Sequence, residues 1–295
     1  MPTFSVVIPT YNRAELIGKT IRSVLEQDDL DLEIIVVDDG GSDNTCEVVS
    51  GFVDRRIRYD RIQNSERGAA RNRGTTLASG DYVTFLDSDD LFYENHLTAA
   101  REMIAKFDGP DWFHLGYEFS DENGNVSRTT TGLAEIANDQ LIDGNFLSCR
   151  GIFIRREVAI EYQFSEDREL SGTEDYELWL RLASRYPLYC DSRITSAIVQ
   201  HDRRSVLNTD ITKLKKRIEL LEQHLREDAM FRDRFEKRLR AFEANNRIYI
   251  ALHLALARTN RLEAMLLLVK SLGHSPSALR NRAFYGTIKH LLFPL

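Results

Sequence analysis

Residues 82–90 read YVTFLDSDD, an apolar and aromatic run that closes on three carboxylates within four positions, Asp87, Asp89 and Asp90. The first half fits a buried strand. The second half raises a physical problem, because at an effective dielectric near 20 two like charges about 4 Å apart repel by roughly 4 kcal/mol. A divalent cation would offset that repulsion. Mg2+ and Mn2+ prefer hard oxygen ligands, and typically bind through one or two carboxylates plus substrate phosphates. Asp87 and Asp89 are two positions apart and share a face of an ideal strand. A D-x-D tripeptide alone is ordinary in solvated turns; its place at the end of an apolar strand gives it weight.

Working outward, FSVVI (4–8), LEIIVV (32–37) and IRYDRI (57–62) are further short apolar runs separated by helix-sized segments. That rhythm predicts βαβ units and a parallel sheet covered by helices. Asn12 and Glu15 predict a capping-box start for the first helix, with Ile17, Ile21, Val24 and Leu25 on its buried face. Ligands of open α/β sheets sit outside the carboxyl ends of the strands. Three such ends are chemically loaded: PTYNR (9–13), DDGGSD (38–43) and DSDD (87–90). Tyr11 offers a flat face for a nucleotide base, and Asp38 or Asp39 can accept the imino N–H of a uracil or thymine. DDGGSD reads equally well as a plain polar turn. After Asp90, expected to cap the next helix, the pattern predicts a helix near 94–107, strands near 112–119, 126–131 and 151–154, a helix over 174–185 and a strand at 195–200. A sheet with both parallel and antiparallel members follows. From about 209 the chain reads as charged helix. Ile211, Leu214, Ile218, Leu221 and Leu225 form an apolar seam of about two heptads, which suits packing better than a coiled coil. The apolar run at 248–257 is too short to span a bilayer.

Composition narrows the class. The 295 residues are 42% hydrophobic and 29% charged, enough for one large globular domain with an appendage. The net charge of −7 is unevenly spread: residues 201–295 carry 19 Lys and Arg against 10 Asp and Glu, and the residues before them 20 against 36. The acidic part argues against nucleic acid, while the basic part suits an acidic surface. Cys46, Cys149 and Cys190 form no CxxC pair and are odd in number, which points away from a disulfide framework or a zinc knuckle. MPTFSVVIPTYNR has neither a basic leader nor a long apolar run, so a cytoplasmic setting is expected.

SVVIPTYNRAELIGKTIRSVLEQ, EIIVVDDGGSDNT, RGAARNRGTTLASGDYVTFLDSDD and TEDYELWLRLA together resemble the successive motifs of family 2 glycosyltransferases, over about residues 3–202. The resemblance implies an α/β GT-A fold: a Rossmann-like mixed sheet flanked by helices, here with a C-terminal helical extension. It implies inverting transfer of a sugar from a nucleotide diphosphate donor, with Mn2+ or Mg2+. It puts Thr10 and Tyr11 around the base, Asp39 on its imino group, Arg67 or Arg71 near base or phosphates, and Asp87 near the ribose or metal. Asp89 and His201 would hold the metal, with Arg204 and Ser205 on the pyrophosphate. Asp175 resembles the family's catalytic base, and Glu174 and Trp179 would face the acceptor. An inverting transfer needs such a carboxylate, across the anomeric carbon from the leaving phosphate, to take the acceptor's proton. The same Glu174 and Asp175 also suit the first turn of a helix, where carboxylates meet the dipole.

The wording departs from the family pattern at DDGGS, where Gly41 takes a position that is commonly polar, and before TED. The expected organisation is a catalytic domain over 1–208, with its nucleotide-sugar half at about 1–90 and its acceptor half at about 91–208, followed by a helical extension over 209–295. Expected partners are a UDP-sugar, a glycan or lipid-linked acceptor of surface polysaccharide assembly, and an anionic inner membrane face met by the C-terminal helices, with GTIKHLLFPL at the chain's end. Homo-oligomer formation explains the same helices. Two rivals remain: a nucleotidyltransferase, which releases pyrophosphate and has no use for Asp175, and a catalytically silent nucleotide-sugar binding protein.

Overall fold

A computed structural model describes residues 3–28, 31–201 and 210–293. Four strands, β1 (Phe4–Thr10), β2 (Leu32–Asp38), β3 (Ile57–Arg61) and β4 (Tyr82–Phe85), lie in the order β3-β2-β1-β4 and are all parallel. Strand β1 is paired on both sides and covered on both faces, so all seven of its residues are buried. That is why FSVVIPT shows no alternation of polar and apolar positions. The crossovers are α1 (Ile17–Leu25), α2 (Thr45–Ser50) and α3 (Glu66–Leu77). Helix α3 lies so close on β1 that a Cβ at Gly74 would meet Val7 Cγ1 at 2.2 Å. Ala, Gly and Thr in α3 are the small residues such an approach requires.

Beyond β4 the sheet becomes mixed. It adds β5 (Leu91–Phe92), α4 (His96–Lys106), β6 (Trp112–Asp121), β7 (Val126–Thr129), β8 (Ile152–Arg155), α5 (Arg156–Glu161), α6 (Glu174–Ala183) and β9 (Tyr189–Gln200). Strand β8 runs antiparallel to β4, β6 antiparallel to β8, and β9 parallel to β6. The core is apolar and aromatic, with Phe113 stacked on Phe153 at 5.0 Å between ring centroids.

Two local expectations are overturned. Helix α1 begins at Ile17 with no side-chain cap, and Asn12 is in the left-handed region (φ 52°) with its side chain turned to another loop. Asp90 is not at the N-cap of α4: it is buried, accepts from Val199 N at 3.0 Å and pairs with Arg150. Helix α4 starts after Asn95 instead.

Chain contacts divide the molecule into two compact units. The first holds the described residues of 1–137, 146–178 and 186–201, and the second holds 138–145, 179–185 and the described residues from 210 onward. The second unit is helical: α7 (Ile211–Glu227), α8 (Ala229–Phe235), α9 (Leu239–Ala257), α10 (Arg261–His274) and α11 (Arg282–Leu292). Asp210 caps α7 by accepting from Thr212 N at 2.8 Å, satisfying a donor that the helix itself cannot. Leu214, Ile218, Leu221 and Leu225 of the expected seam are buried, and α7 packs on α8 and α9. Among the described residues no helix is long and apolar enough to cross a membrane.

Candidate active site

The carboxyl ends of β1 and β2 are laced together by short polar bonds. Asn12 Oδ1 accepts from Ser42 N at 2.7 Å, and Asp43 Oδ2 accepts from Ala14 N at 2.9 Å. Asp38 is buried, accepting from Gly41 N at 2.8 Å and from the Tyr59 hydroxyl at 2.7 Å. A Cβ at Gly41 would stand 3.0 Å from both Asp38 Oδ1 and Asn12 Oδ1, which accounts for a glycine where the family pattern is commonly polar. Asp39 is also committed: it accepts from Ser65 N (2.6 Å), Glu66 N (2.9 Å) and Asn64 Nδ2 (3.1 Å), and so holds the start of α3. Burial raises its pKa, and the two backbone N–H groups offset only part of that rise. Tyr11 stands open at 50% exposure, whereas Thr10 is buried.

Two of the three carboxylates after β4, Asp87 and Asp90, are paired with the protein's own buried arginines. Asp87 Oδ1 accepts from Arg71 Nη2 at 2.9 Å, and Oδ2 from Arg150 Nη2 at 3.3 Å. Arg150 also pairs with Asp90. Burial would raise the Asp87 pKa, but the Arg71, Arg150 and Arg67 charges outweigh it and hold the carboxyl well below the usual range. Two sequence assignments change as a result. Arg71 is only 2% exposed and spends its two Nη atoms inside the protein, and Asp87, 25% exposed, already carries two guanidiniums on its carboxylate.

Arg71 does something the motifs did not suggest. Its Nη1 donates to Glu174 Oε1 at 2.8 Å, so one buried guanidinium ties the end of β4 to the start of α6. Glu174 is therefore a buried ion-pair partner and not an acceptor contact, and Arg67 approaches it at 3.9 Å while staying 35% exposed. Asp175, next along α6, is partly buried. Its Oδ1 accepts from Tyr176 N at 2.6 Å, and the Cys149 Sγ lies 3.9 Å from Oδ2. Burial and the Glu174 charge push its pKa up to about 6, against the pull of Arg71. Trp179, expected to face an acceptor, is wholly buried, as is Trp112. Four helix positions after Asp175, roughly one turn on, its indole belongs to the core.

Asp89 is the carboxylate left for a cation. Its Oδ2 lies 3.2 Å from His201 Nε2 and 3.8 Å from Arg13 Nε. Among the described residues no group of three or more His, Cys, Asp and Glu forms a metal cage. Two donors converging from Asp89 and His201 still fit a hard cation that draws its other ligands from phosphate and water. Arg204 and Ser205 lie outside the described residues.

Residues 5–162 match the family described as Glycosyl transferase family 2. The chain belongs to that family. It is 34% identical over 199 residues to the GalNAc(5)-diNAcBac-PP-undecaprenol beta-1,3-glucosyltransferase of Campylobacter jejuni, covering 64% of this chain and 62% of that one. Staphylococcus aureus TarS 1–349 in complex with UDP-GlcNAc superposes with a TM-score of 0.71 at 19% identity, over 98% of this chain and 88% of that one. The mannosyltransferase PcManGT of Pyrobaculum calidifontis, in complex with GDP-Man and Mn2+, gives 0.62 at 18% identity, over 99% and 88%. The fold is of the GT-A type. The chain spans between one third and two thirds of the length of several curated relatives.

Sequence reading missed Arg150, and the sheet shows how it could have been found. Thr84 pairs with Phe153 across the antiparallel β4–β8 ladder. Arg150 lies in a 3-10 turn, Cys149–Gly151, just before β8, and Asp87 just after β4, so the two meet beyond the same end of that ladder. Arg13 and Asn12 were inside the quoted PTYNR, but their reach toward other strand ends has no local signature.

Proposed function

We propose that the protein is an inverting glycosyltransferase that moves a sugar from a nucleoside diphosphate sugar, UDP-linked by preference, to a hydroxyl of a glycan or lipid-linked acceptor in bacterial-type surface polysaccharide assembly. The observation that carries this reading is the Arg71 bridge, which ties Asp87 after β4 to Glu174 at the start of α6, the helix whose first turn holds Asp175. Support comes also from TarS, solved with UDP-GlcNAc, and from the Campylobacter relative, named for an undecaprenol-linked substrate. In this reading residues 1–208 form the transferase domain and 209–295 its helical extension. The acceptor is a lipid-linked glycan presented at the cytoplasmic face of a membrane.

Tyr11 stacks on the base beside Thr10, Asp39 accepts its imino proton through a remaining lone pair, and Arg67 lies toward the phosphates. Asp87, fixed by two arginines, faces the ribose. Asp89 and His201 would hold Mn2+ or Mg2+, and the bound ion would supply positive charge toward the leaving diphosphate. Asp175 Oδ2 takes the proton of the acceptor hydroxyl as its oxygen bonds to the anomeric carbon. The bond from that carbon to the diphosphate oxygen breaks from the opposite side, and the nucleoside diphosphate leaves with the electron pair. A carboxylate whose pKa is raised toward the working pH is a stronger base than an ordinary aspartate.

The test is a hydrolysis screen of UDP-, dTDP- and GDP-sugars with Mn2+ or Mg2+. Release of the nucleoside diphosphate, lost on chelation, is expected. Release of pyrophosphate in place of nucleoside diphosphate would assign the protein to nucleotidyl transfer.

A further inference from the structure

Helix α10 is apolar on two opposite faces. Ala264, Leu268 and Ser271 are buried, whereas Leu262 (68% exposed), Met265, Leu266 and Val269 (67% exposed) stand in water. At about 100° per residue those four side chains fill a stripe roughly 100° wide, opposite the buried face. Arg261 and Lys270 border the stripe, one on each side, and both are exposed. A contiguous apolar strip of this kind marks an interaction site more often than chance exposure.

The charge around the strip says what covers it. Between residues 256 and 293 the chain holds six Lys and Arg and one acidic residue, Glu263. The Glu263 carboxylate is already taken, accepting from Lys215 Nζ at 2.5 Å and from Asn260 Nδ2 at 3.3 Å. Among the described residues none of Arg258, Arg261, Lys270, Arg280, Arg282 and Lys289 meets a carboxylate within ion-pair distance. A symmetric contact between two copies would set those cations against one another. An anionic lipid surface takes both features at once: the apolar stripe enters the headgroup boundary while Arg and Lys on its borders reach phosphates.

We infer that α10 is an interfacial docking helix that seats the protein on anionic lipid through Leu262, Met265, Leu266 and Val269. This deepens the proposed use of a lipid-linked acceptor and places the anchor on α10, not on the chain's last ten residues. Its test is independent of transfer. Full-length protein is sedimented with phosphatidylcholine vesicles with and without phosphatidylglycerol, alongside the double variants Leu262→Asp/Val269→Asp and Arg261→Glu/Lys270→Glu. Wild-type protein is expected to pellet with the anionic vesicles at low salt, and each double variant to bind roughly tenfold or more weakly. Retention of donor hydrolysis by both variants shows that they fold, and separates failure here from failure of the transferase reading. No pelleting of the wild type, or equal pelleting of the variants, overturns the inference. So does a concentration-dependent dimer in light scattering that Leu262→Asp/Val269→Asp abolishes, since that assigns the stripe to a second copy.

Discussion

Asp87 at the end of β4 and Asp175 at the start of α6 both lie in the field of the buried Arg71, yet their acidities move in opposite directions. Asp87 has a second guanidinium, Arg150, and is held well below the usual carboxylate range. Asp175 has Glu174 as its neighbour and is pushed up to about 6. The difference teaches that a carboxylate's role follows its charge partners more than its depth. A permanently ionised aspartate organises, and one poised near the working pH can carry a proton.

The strongest break of that comparison is Asp175→Asn. If Asp175 is the base, transfer falls by about 10²–10⁴-fold, while donor affinity measured by calorimetry is unchanged. Near-normal transfer would leave Asp175 as a helix-cap residue only. Next comes Arg71→Met, which leaves Glu174 as a buried anion and takes one of its two guanidiniums from Asp87. Breaking a buried pair in this way costs roughly 3–5 kcal/mol, to be read as a lower midpoint in urea unfolding. Asp89→Ala addresses the third carboxylate of the quoted run. It is expected to weaken metal-dependent donor binding by roughly tenfold or more with little change in the unfolding midpoint. Thermal stability and Mn2+-dependent calorimetry together distinguish it from Arg71→Met.

The finest test is pH. A general base must be ionised, so with the Asp175 pKa raised to about 6 the rate constant for transfer is expected to fall as pH drops below about 6. Above that value it levels off. Glu174→Gln removes the neighbouring charge that raises the Asp175 pKa, so the acidic limb should move to lower pH. A limb that stays in place in Glu174→Gln would assign it to another group.

The parallel half of the sheet was readable from local pattern, because buried parallel strands are continuous apolar runs and their crossovers are helix-sized. The loaded strand ends were legible for the same reason: Tyr11, Asp39 and Asp89 sit where an open sheet exposes its carboxyl edge. The partners of those residues were not legible. The resemblance put Arg67 or Arg71 near the base or phosphates, but ion pairs to Asp87 and Glu174 bury Arg71. Trp179, expected on the acceptor side with buried core as the other reading, is core. Asn12 matched a capping box, but its left-handed backbone turned the side chain to the β2 loop.

Residue order alone determined the family, the alternation of strand and helix, and the clustering of acidic groups at the sheet's edge, since each depends on neighbours a few positions apart. Tertiary structure decided which cation each carboxylate meets. Arg150, just before β8, reaches Asp87, just after β4, and Arg71 links the end of β4 to α6, through contacts that join residues 63 and 103 positions apart. Charge interactions act through space at a few ångströms, and that distance is set by the fold and not by the spacing along the chain.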